Sequence, residues 1–458
     1  MTLLAFIILL VAVAIGYVMN VRAAQSIRNG GVTLHSLVNF HGMFAALVVL
    51  VPVFILIIIW LAFADPLIQR LIAASLPEGT FDGLGTGAIQ LIMAEINSLA
   101  GGRVFGTPEI WKTEAAELLV TYERTADQAL VAVVVIAVTA LVIFARRTVT
   151  AEFRARQGSE GIMLRLMAFC AIFAIFVTIG IIFALAYETS KFFAMVPFTD
   201  FLFGLNWEPQ IPIREDQIAA EGAFGVIPVF LGTLVIATVA LTVAIPVGLM
   251  TAIYLNEFAS RRARAVIKPF LEILAGVPTV VYGFFAILVV APWLRSAGVT
   301  LGLDVAPNTA LAAGSVMGIM LIPFISSFAD DALSAVPQSL RDGALALGAT
   351  RSETMLNVLF PAAIPGIVGG VLLAVSRAIG ETMIVVMAAG LIATLTINPL
   401  DSVTAVTVQI VTLLIGDSAF DNPKTLSAFA LGMMLFIITL GINVLALRIV
   451  RKYREIYD

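Results

Sequence analysis

The sequence predicts an all-α polytopic membrane protein, and three observations carry that prediction. Of the 458 residues, 60% are hydrophobic and only 12% charged, with a mean hydropathy of +1.06; soluble domains carry about 25% charged residues. Nine apolar runs are long enough to cross a bilayer: 2–19, 42–64, 128–146, 163–187, 226–254, 269–294, 308–327, 362–390 and 427–447. They are continuous rather than alternating with period two, which excludes a β-barrel. The third observation is that basic residues are sorted by loop. Segments 20–41, 147–162, 255–268, 328–361 and the tail from Arg448, with Arg146 and Arg165 at span ends, hold 17 Lys and Arg. The alternate segments hold 8 and carry 19 of the 30 acidic residues. By the positive-inside rule the N-terminus lies outside and the C-terminus in the cytoplasm.

The first run, Leu3 to Tyr17, has no basic residue before it, and Arg22 and Arg28 follow it. A secretory signal has a positive segment in front, so this run is read as an uncleaved first span. Residues 1–150 form an N-terminal extension of three spans with an outer segment, 65–127, that is acidic yet too apolar for disorder. Short helices on the outer face are expected there. Residues 151–458 hold six further spans. One cysteine, Cys170, excludes internal disulfides and cysteine-based metal sites. Two histidines, His35 and His41, are too few for a metal site on their own. No metal is expected, and no nucleic acid partner. The clusters Arg146-Arg147 to Arg154-Ala-Arg156, Arg261-Arg262-Ala-Arg264 and Arg451-Lys452-Tyr-Arg454 are read as topogenic anchors beside anionic lipid.

The segment between the seventh and eighth runs, Ser339 to Pro361, predicts helix, elbow, helix. Ser339-x-x-Asp342 and Thr350-x-x-Glu353 both have capping-box spacing. Gly348 falls between them, where the first helix must end in a left-handed turn. That helix is about two turns long, with Ala344, Leu345, Leu347 and Ala349 apolar, and is marginal without a partner surface. The residues alone leave two readings: a re-entrant connection covered by its own protein, or a docking element.

The run that follows contains an arginine. Arg377 is twelve residues from Pro365, roughly 18 Å along a helix, near the middle of an apolar layer about 30 Å thick. On one continuous helix Glu381 shares its face, with Ser376 and Thr382 adjacent and Gly380 clearing space. Two readings stand. One is a self-contained ion pair that carries two charges into the bilayer. The other is an anion site, in which the guanidinium fork grips phosphate-like oxygens.

Asp342-Gly343-Ala344, three residues, Gly348, nine residues, then Val358-x-Phe360-Pro361 resembles the "EAA" loop of ABC importer permeases. In that family the loop is the coupling helix that docks into a groove of the cytosolic ATPase. Asp for Glu, Gly343 for Ala, Val for Ile and Phe for Leu depart from the family pattern, while Gly348 and Pro361 match it. Arg377-Ala-Ile-Gly380-Glu381-Thr382 further resembles the R-A-x-G-E-T segment of phosphate-importer permeases, and Met383-Ile384-Val385 is similar to the PstC rather than the PstA branch. Phe201-Leu-Phe-Gly204 with Trp207, Gly232-Thr233-Leu234, and Ala275-Gly-Val-Pro278-Thr-Val-Val-Tyr282-Gly agree. The likeness covers about residues 160–450. It implies a six-helix type I ABC importer permease core preceded by three extra spans, located in the bacterial inner membrane. Its translocation residues would be Arg377, Glu381, Ser376 and Thr382, and its coupling residues Asp342, Gly343, Ala344, Gly348 and Pro361. The implied partners are a PstA-like permease, a cytosolic ABC ATPase dimer, a periplasmic phosphate-binding protein, inorganic phosphate and membrane lipid.

The chain has no G-x-x-x-x-G-K-[ST] sequence, so it is expected to be non-catalytic and to need no cofactor, with ATP bound by the partner. Guanidinium geometry alone leaves sulfate, molybdate and phosphonate open. A secondary transporter with an Arg377–Glu381 relay is a more distant alternative, since Glu272 is the one other ionisable residue expected inside an apolar run. An outer-partner sensor remains conceivable for residues 1–150 alone.

Overall fold

The structure is a computed structural model and describes residues 2–76, 86–103, 109–209, 222–415 and 422–453. The described residues contain nine helices long and apolar enough to span a membrane. Contacts divide the chain into two compact units, 1–177 and 178–458.

The first unit contains α1 (Thr2–Asn29), α2 (Val38–Ser75), α3 (Thr86–Ala100) and α4 (Ile110–Arg147), with the beginning of α5 (Ala155–Met195). Alanine, valine and leucine build its centre: Ala5, Leu9, Val49, Val53, Leu130 and Val134 are buried where α1, α2 and α4 meet. Both α2 and α4 have 38 residues, about 57 Å each, and so overrun an apolar layer by many residues. The overrun ends lie together, and α3 closes on them around Ile68, Ile72, Ile96 and Leu119. Among the described residues of 65–127, α3 is the one separate short helix. The rest of the described segment continues the flanking spans, because no breaker interrupts them there except Pro66, which α2 accommodates. Residues 77–85 and 104–108 of that segment, and Arg454 of the last basic cluster, lie outside the described residues.

The second unit continues with α6 (Phe198–Phe203), a two-residue antiparallel pair β1 (Trp207–Glu208) and β2 (Ala223–Phe224), and α7 (Ile227–Ile253). Next come α8 (Arg261–Gly276), α9 (Thr279–Phe285), α10 (Ala291–Leu301), α11 (Ala310–Ser334), α12 (Gln338–Ala346), α13 (Arg351–Thr354) and α14 (Phe360–Ile379). The short α15 (Met383–Ala388) and α16 (Val406–Leu414) precede α17 (Pro423–Tyr453). The core centres on α7 and α11, whose alanines and glycines bring the backbones together: Ala237, Ala240 and Ala244 lie buried against Ala313, Met317 and Leu321.

Two runs are broken where the sequence predicts single spans. The run 269–294 is not one helix. Its first part belongs to α8, an amphipathic helix with no buried residue, and the span proper is 279–301. Val277 and Pro278 separate them in extended conformation, since a proline disfavours α geometry in the residue before it. The run 362–390 is likewise broken, and the break shapes the site. The span instead starts at Arg351 and ends at Ile379. Pro361 sits inside this span just after a π-helical turn, Met355–Leu359. A wider turn accommodates a residue that cannot supply the regular hydrogen bond.

Candidate translocation site and coupling element

Helix α14 ends at Ile379 with Gly380 as its cap, so Arg377 stands in the last turn rather than mid-helix. Its level along α11 is nevertheless central. A side chain at Gly370 would meet Phe328 and one at Gly366 would meet Ala332, which fixes an antiparallel register with α11. Continued one helical stretch further, that register sets Arg377 level with Leu321, the middle of the 25-residue α11. The guanidinium carbon lies 5.6 Å from the Phe324 ring centroid, within cation–π range.

Glu381 does not share Arg377's helix face, contrary to the sequence expectation. The helix has already ended, and Glu381 turns to cap α15: its Oε1 accepts from Met383 N at 3.2 Å and Ile384 N at 3.5 Å. Its carbonyl accepts from Thr407 Oγ1 at 2.7 Å, and the residue is buried. Among the described residues Arg377 forms no ion pair. The self-contained Arg377–Glu381 pair is therefore not what this conformation holds. The Ser376 carbonyl accepts from Gly380 N and the Thr382 carbonyl from Val386 N; of the four residues named from sequence, only Arg377 lines the cavity described next.

That cavity has a volume of about 270 Å³ and lies between α8, α11 and α14. Lys268, Glu272, Ser326, Ser327 and Asp330 share its wall with Arg377. Asp330 is the residue the sequence reading missed. It falls just beyond the apolar window 308–327, where it reads as a loop acid, yet α11 continues to Ser334 and buries its side chain to 6% exposure. Four contacts compensate the buried carboxylate. Arg264 Nη2 donates at 3.1 and 3.0 Å to the two oxygens, Lys268 Nζ at 3.0 Å and Asn256 Nδ2 at 3.0 Å. Arg264, read from sequence as a topogenic anchor, is thus an internal partner. Glu272, expected to be buried, is exposed on α8.

The polar cluster reaches α12. Arg341 Nη2 donates to Asn256 Oδ1 at 3.1 Å and lies 3.1 Å from Glu257 Oε2. The Glu257 contact is an ion pair by distance, without the angle of a hydrogen bond. Asn256 also donates to Ser334 at 2.9 Å. So α12, the π-helical turn Tyr254–Phe258, α8 and the end of α11 share one charged network.

The elbow has the expected form. Ala349 N donates to Ala344 O and Gly348 N to Leu345 O, the paired bonds of a Schellman motif, with Gly348 at φ +90°. Thr350 and Glu353 make the reciprocal capping box. The one at Ser339 does not form. Helix α12 begins at Gln338 after Pro337, so Ser339 is already inside it and Asp342 accepts from Gln338 Nε2 at 3.3 Å. No residue of α12 is buried, and Leu347 is 91% exposed at its tip. Asp342 and Gly343 are exposed and Ala344 half-buried, while Pro361 is exposed at the start of α14.

Past α15 the chain runs irregularly from Ala389 to Ala405, so its backbone groups need partners that a helix would otherwise supply. Gln409 supplies them, donating to Leu391 O and Thr404 Oγ1 and accepting from Trp207 Nε1 at 2.9 Å. Thr233 Oγ1 accepts from Val406 N at 3.0 Å.

Residues 6–177 match the family described as phosphate ATP-binding cassette transporter, and residues 244–455 match the binding-protein-dependent transport system inner membrane component. Relatives include the probable ABC transporter permease protein YqgH of Bacillus subtilis, 31% identical over 260 residues, covering 56% of this chain and 79% of the relative. The phosphate transport system permease protein PstC of Mesorhizobium japonicum is 33% identical over 241 residues, covering 49% and 72%. The probable PstC of Methanocaldococcus jannaschii is 28% identical over 249 residues, covering 52% and 78%. With nine apolar helices among the described residues, this is a multi-pass inner-membrane protein, and permeases of its kind work with an ATPase and a binding protein. The chain belongs to the family of PstC-like phosphate ABC transporter permeases.

Proposed function

We propose that this phosphate-importer permease holds its anion at Arg377 and receives the force of ATP hydrolysis at α12. The observation that carries the first half is an arginine at mid-span depth, beside a cavity, with no ion pair among the described residues. An unpaired guanidinium there costs at least about 2.5 kcal/mol, which a bound oxyanion would offset with two parallel charge-assisted bonds. Phosphate carries one to two charges near neutral pH, so a PstA-like partner permease contributes a matching cation across the subunit interface. Glu381, Ser376 and Thr382 act behind Arg377 by fixing the helix break that presents it.

The second half rests on α12. Asp342, Gly343, Ala344 and Gly348 form an exposed two-turn helix and elbow, and Pro361 follows at the head of α14. Their apolar tip fits a groove of a cytosolic ATPase dimer, which binds and hydrolyses ATP; this chain supplies two conformations for ATP and a phosphate-loaded periplasmic binding protein to bias. The N-terminus lies outside and the C-terminus inside, with basic clusters against anionic lipid. Residues 1–150 form an accessory extension to the permease core of 151–458. The test is phosphate uptake by the reconstituted complex. Arg377→Gln should abolish uptake while leaving assembly intact, and Arg377→Lys should be badly impaired because a point charge lacks the fork. Wild-type uptake by Arg377→Gln would overturn the assignment.

A further inference from the structure

The geometry points to Lys268 as a second phosphate contact supplied by this same chain, which takes the anion from Arg377 at the α12 end of the cavity. The inference rests on Arg377 being the translocation residue. Both cations line one cavity of about 270 Å³, Arg377 beside Phe324 and Lys268 beside Asp330. Phe324 and Asp330 are six residues apart on α11, about 9 Å of rise. That separation is too long for one grip and suited to successive ones. Ser326 and Ser327 place hydroxyls on the wall between them.

Asp330 makes the step feasible. Its single negative charge faces two cations, Arg264 and Lys268, so the cluster keeps one positive charge in excess. Arg264 Nη2 binds both carboxylate oxygens and Asn256 adds a third hydrogen bond. Lys268 makes one contact and its side chain is 42% exposed. If Lys268 swings to an arriving oxyanion, the buried carboxylate keeps three hydrogen bonds and a full counter-charge. An ammonium on a flexible stem makes a weaker, less directional contact than the Arg377 fork, which is what an exit site needs, since conduction through a pathway requires that each site also let go. Glu272 lines the same cavity one turn along α8 from Lys268 and repels an anion that lingers.

The experiment uses the full complex, with partner permease, ATPase and binding protein, in proteoliposomes on a Cys170→Ser background. Lys268→Cys should lower the phosphate transport rate about tenfold or more, the order lost with one charged hydrogen bond, while ATPase association persists. Aminoethyl methanethiosulfonate, which rebuilds the ammonium, should restore the rate, and the anionic sulfonatoethyl reagent should not. Inorganic phosphate present during turnover should slow the modification. Val266→Cys, exposed on the same helix α8 and apart from the charged cluster, serves as the structural control: it should keep transport within about twofold and respond to neither reagent. Full-rate transport by Lys268→Cys, no protection by phosphate, or equal transport loss in Val266→Cys would each overturn the inner contact while Arg377→Gln stays inactive. If Arg377→Gln itself transports normally, the site reading fails first.

Discussion

Replacing Gly348 isolates the coupling element from everything else in the chain. Its φ of +90° lies in the left-handed region, and a Cβ built there meets nothing within 4 Å. Any effect of a side chain is therefore conformational, with no packing term to subtract. A β-branched residue forced into this conformation costs about 1–2 kcal/mol, whereas asparagine tolerates it. The Schellman bonds from Ala349 N and Gly348 N would compete against that strain. A change of 1–2 kcal/mol lowers the population of the closed elbow roughly five- to thirtyfold, and α12, only nine residues long, has little intrinsic helicity to resist. Gly348→Val should then weaken copurification of the ATPase and uncouple hydrolysis from binding-protein stimulation, Gly348→Ala should be intermediate, and Gly348→Asn should be close to wild type. Membrane insertion should be equal in all three. If Val matched Asn in ATPase association and stimulated hydrolysis, the elbow would have no part in coupling.

Two further outcomes follow from the same geometry. In sealed cells on a Cys170→Ser background, an impermeant thiol reagent added outside should label Gly101→Cys and not Ser352→Cys; equal labelling would refute the orientation. Arg341→Met and Glu257→Gln should each reduce binding-protein-stimulated ATP hydrolysis, and a double-mutant cycle should return a coupling of about 0.5–3 kcal/mol, the range for contacting charged partners, because the pair lies 3.1 Å apart with Glu257 buried; additivity would mean that the contact transmits nothing.

The sequence made some of this legible and hid the rest for definable reasons. Apolar length found the nine spans among the described residues, two of them with shifted ends, because a bilayer demands continuous runs. Gly348 was readable because one spacing combined a helix stop with a capping box. The ends of runs were not readable. The run from Pro361 to Gly390 is apolar on both sides of Arg377 and Glu381, yet the helix stops at Ile379, where Glu381 finds the N–H groups of Met383 and Ile384; hydropathy carries no record of such a local bond. Asp330 was hidden by the opposite error. A hydropathy window closes before it, although its partners Asn256, Arg264 and Lys268 lie 62 to 74 residues away in sequence. The one available signal was an acid on the side of the membrane where acids are few. The β1–β2 pair and the Trp207–Gln409 bond, spanning 202 residues, had no sequence signal at all.

The helix break also changes what a double substitution tests. Were Arg377 and Glu381 a mutually neutralising pair, removing both charges would leave a working span, and Arg377→Gln with Glu381→Gln would transport phosphate. The structure separates their tasks. Glu381 Oε1 serves two backbone N–H groups at the start of α15, and a glutamine amide oxygen can accept the same bonds. Glu381→Gln should therefore be mildly affected and Glu381→Ala more severely, since alanine leaves those N–H groups without their acceptor, a cap loss worth about 0.5–2 kcal/mol. Arg377→Gln removes the fork from the cavity wall and should be inactive whether or not Glu381 is also changed. Phosphate uptake assays on the four variants separate the cases: a double variant as inactive as Arg377→Gln supports distinct roles for capping and anion binding. A double variant near the wild-type rate would mean that the pair neutralises itself in another conformation, and Arg377 would lose its claim to the anion.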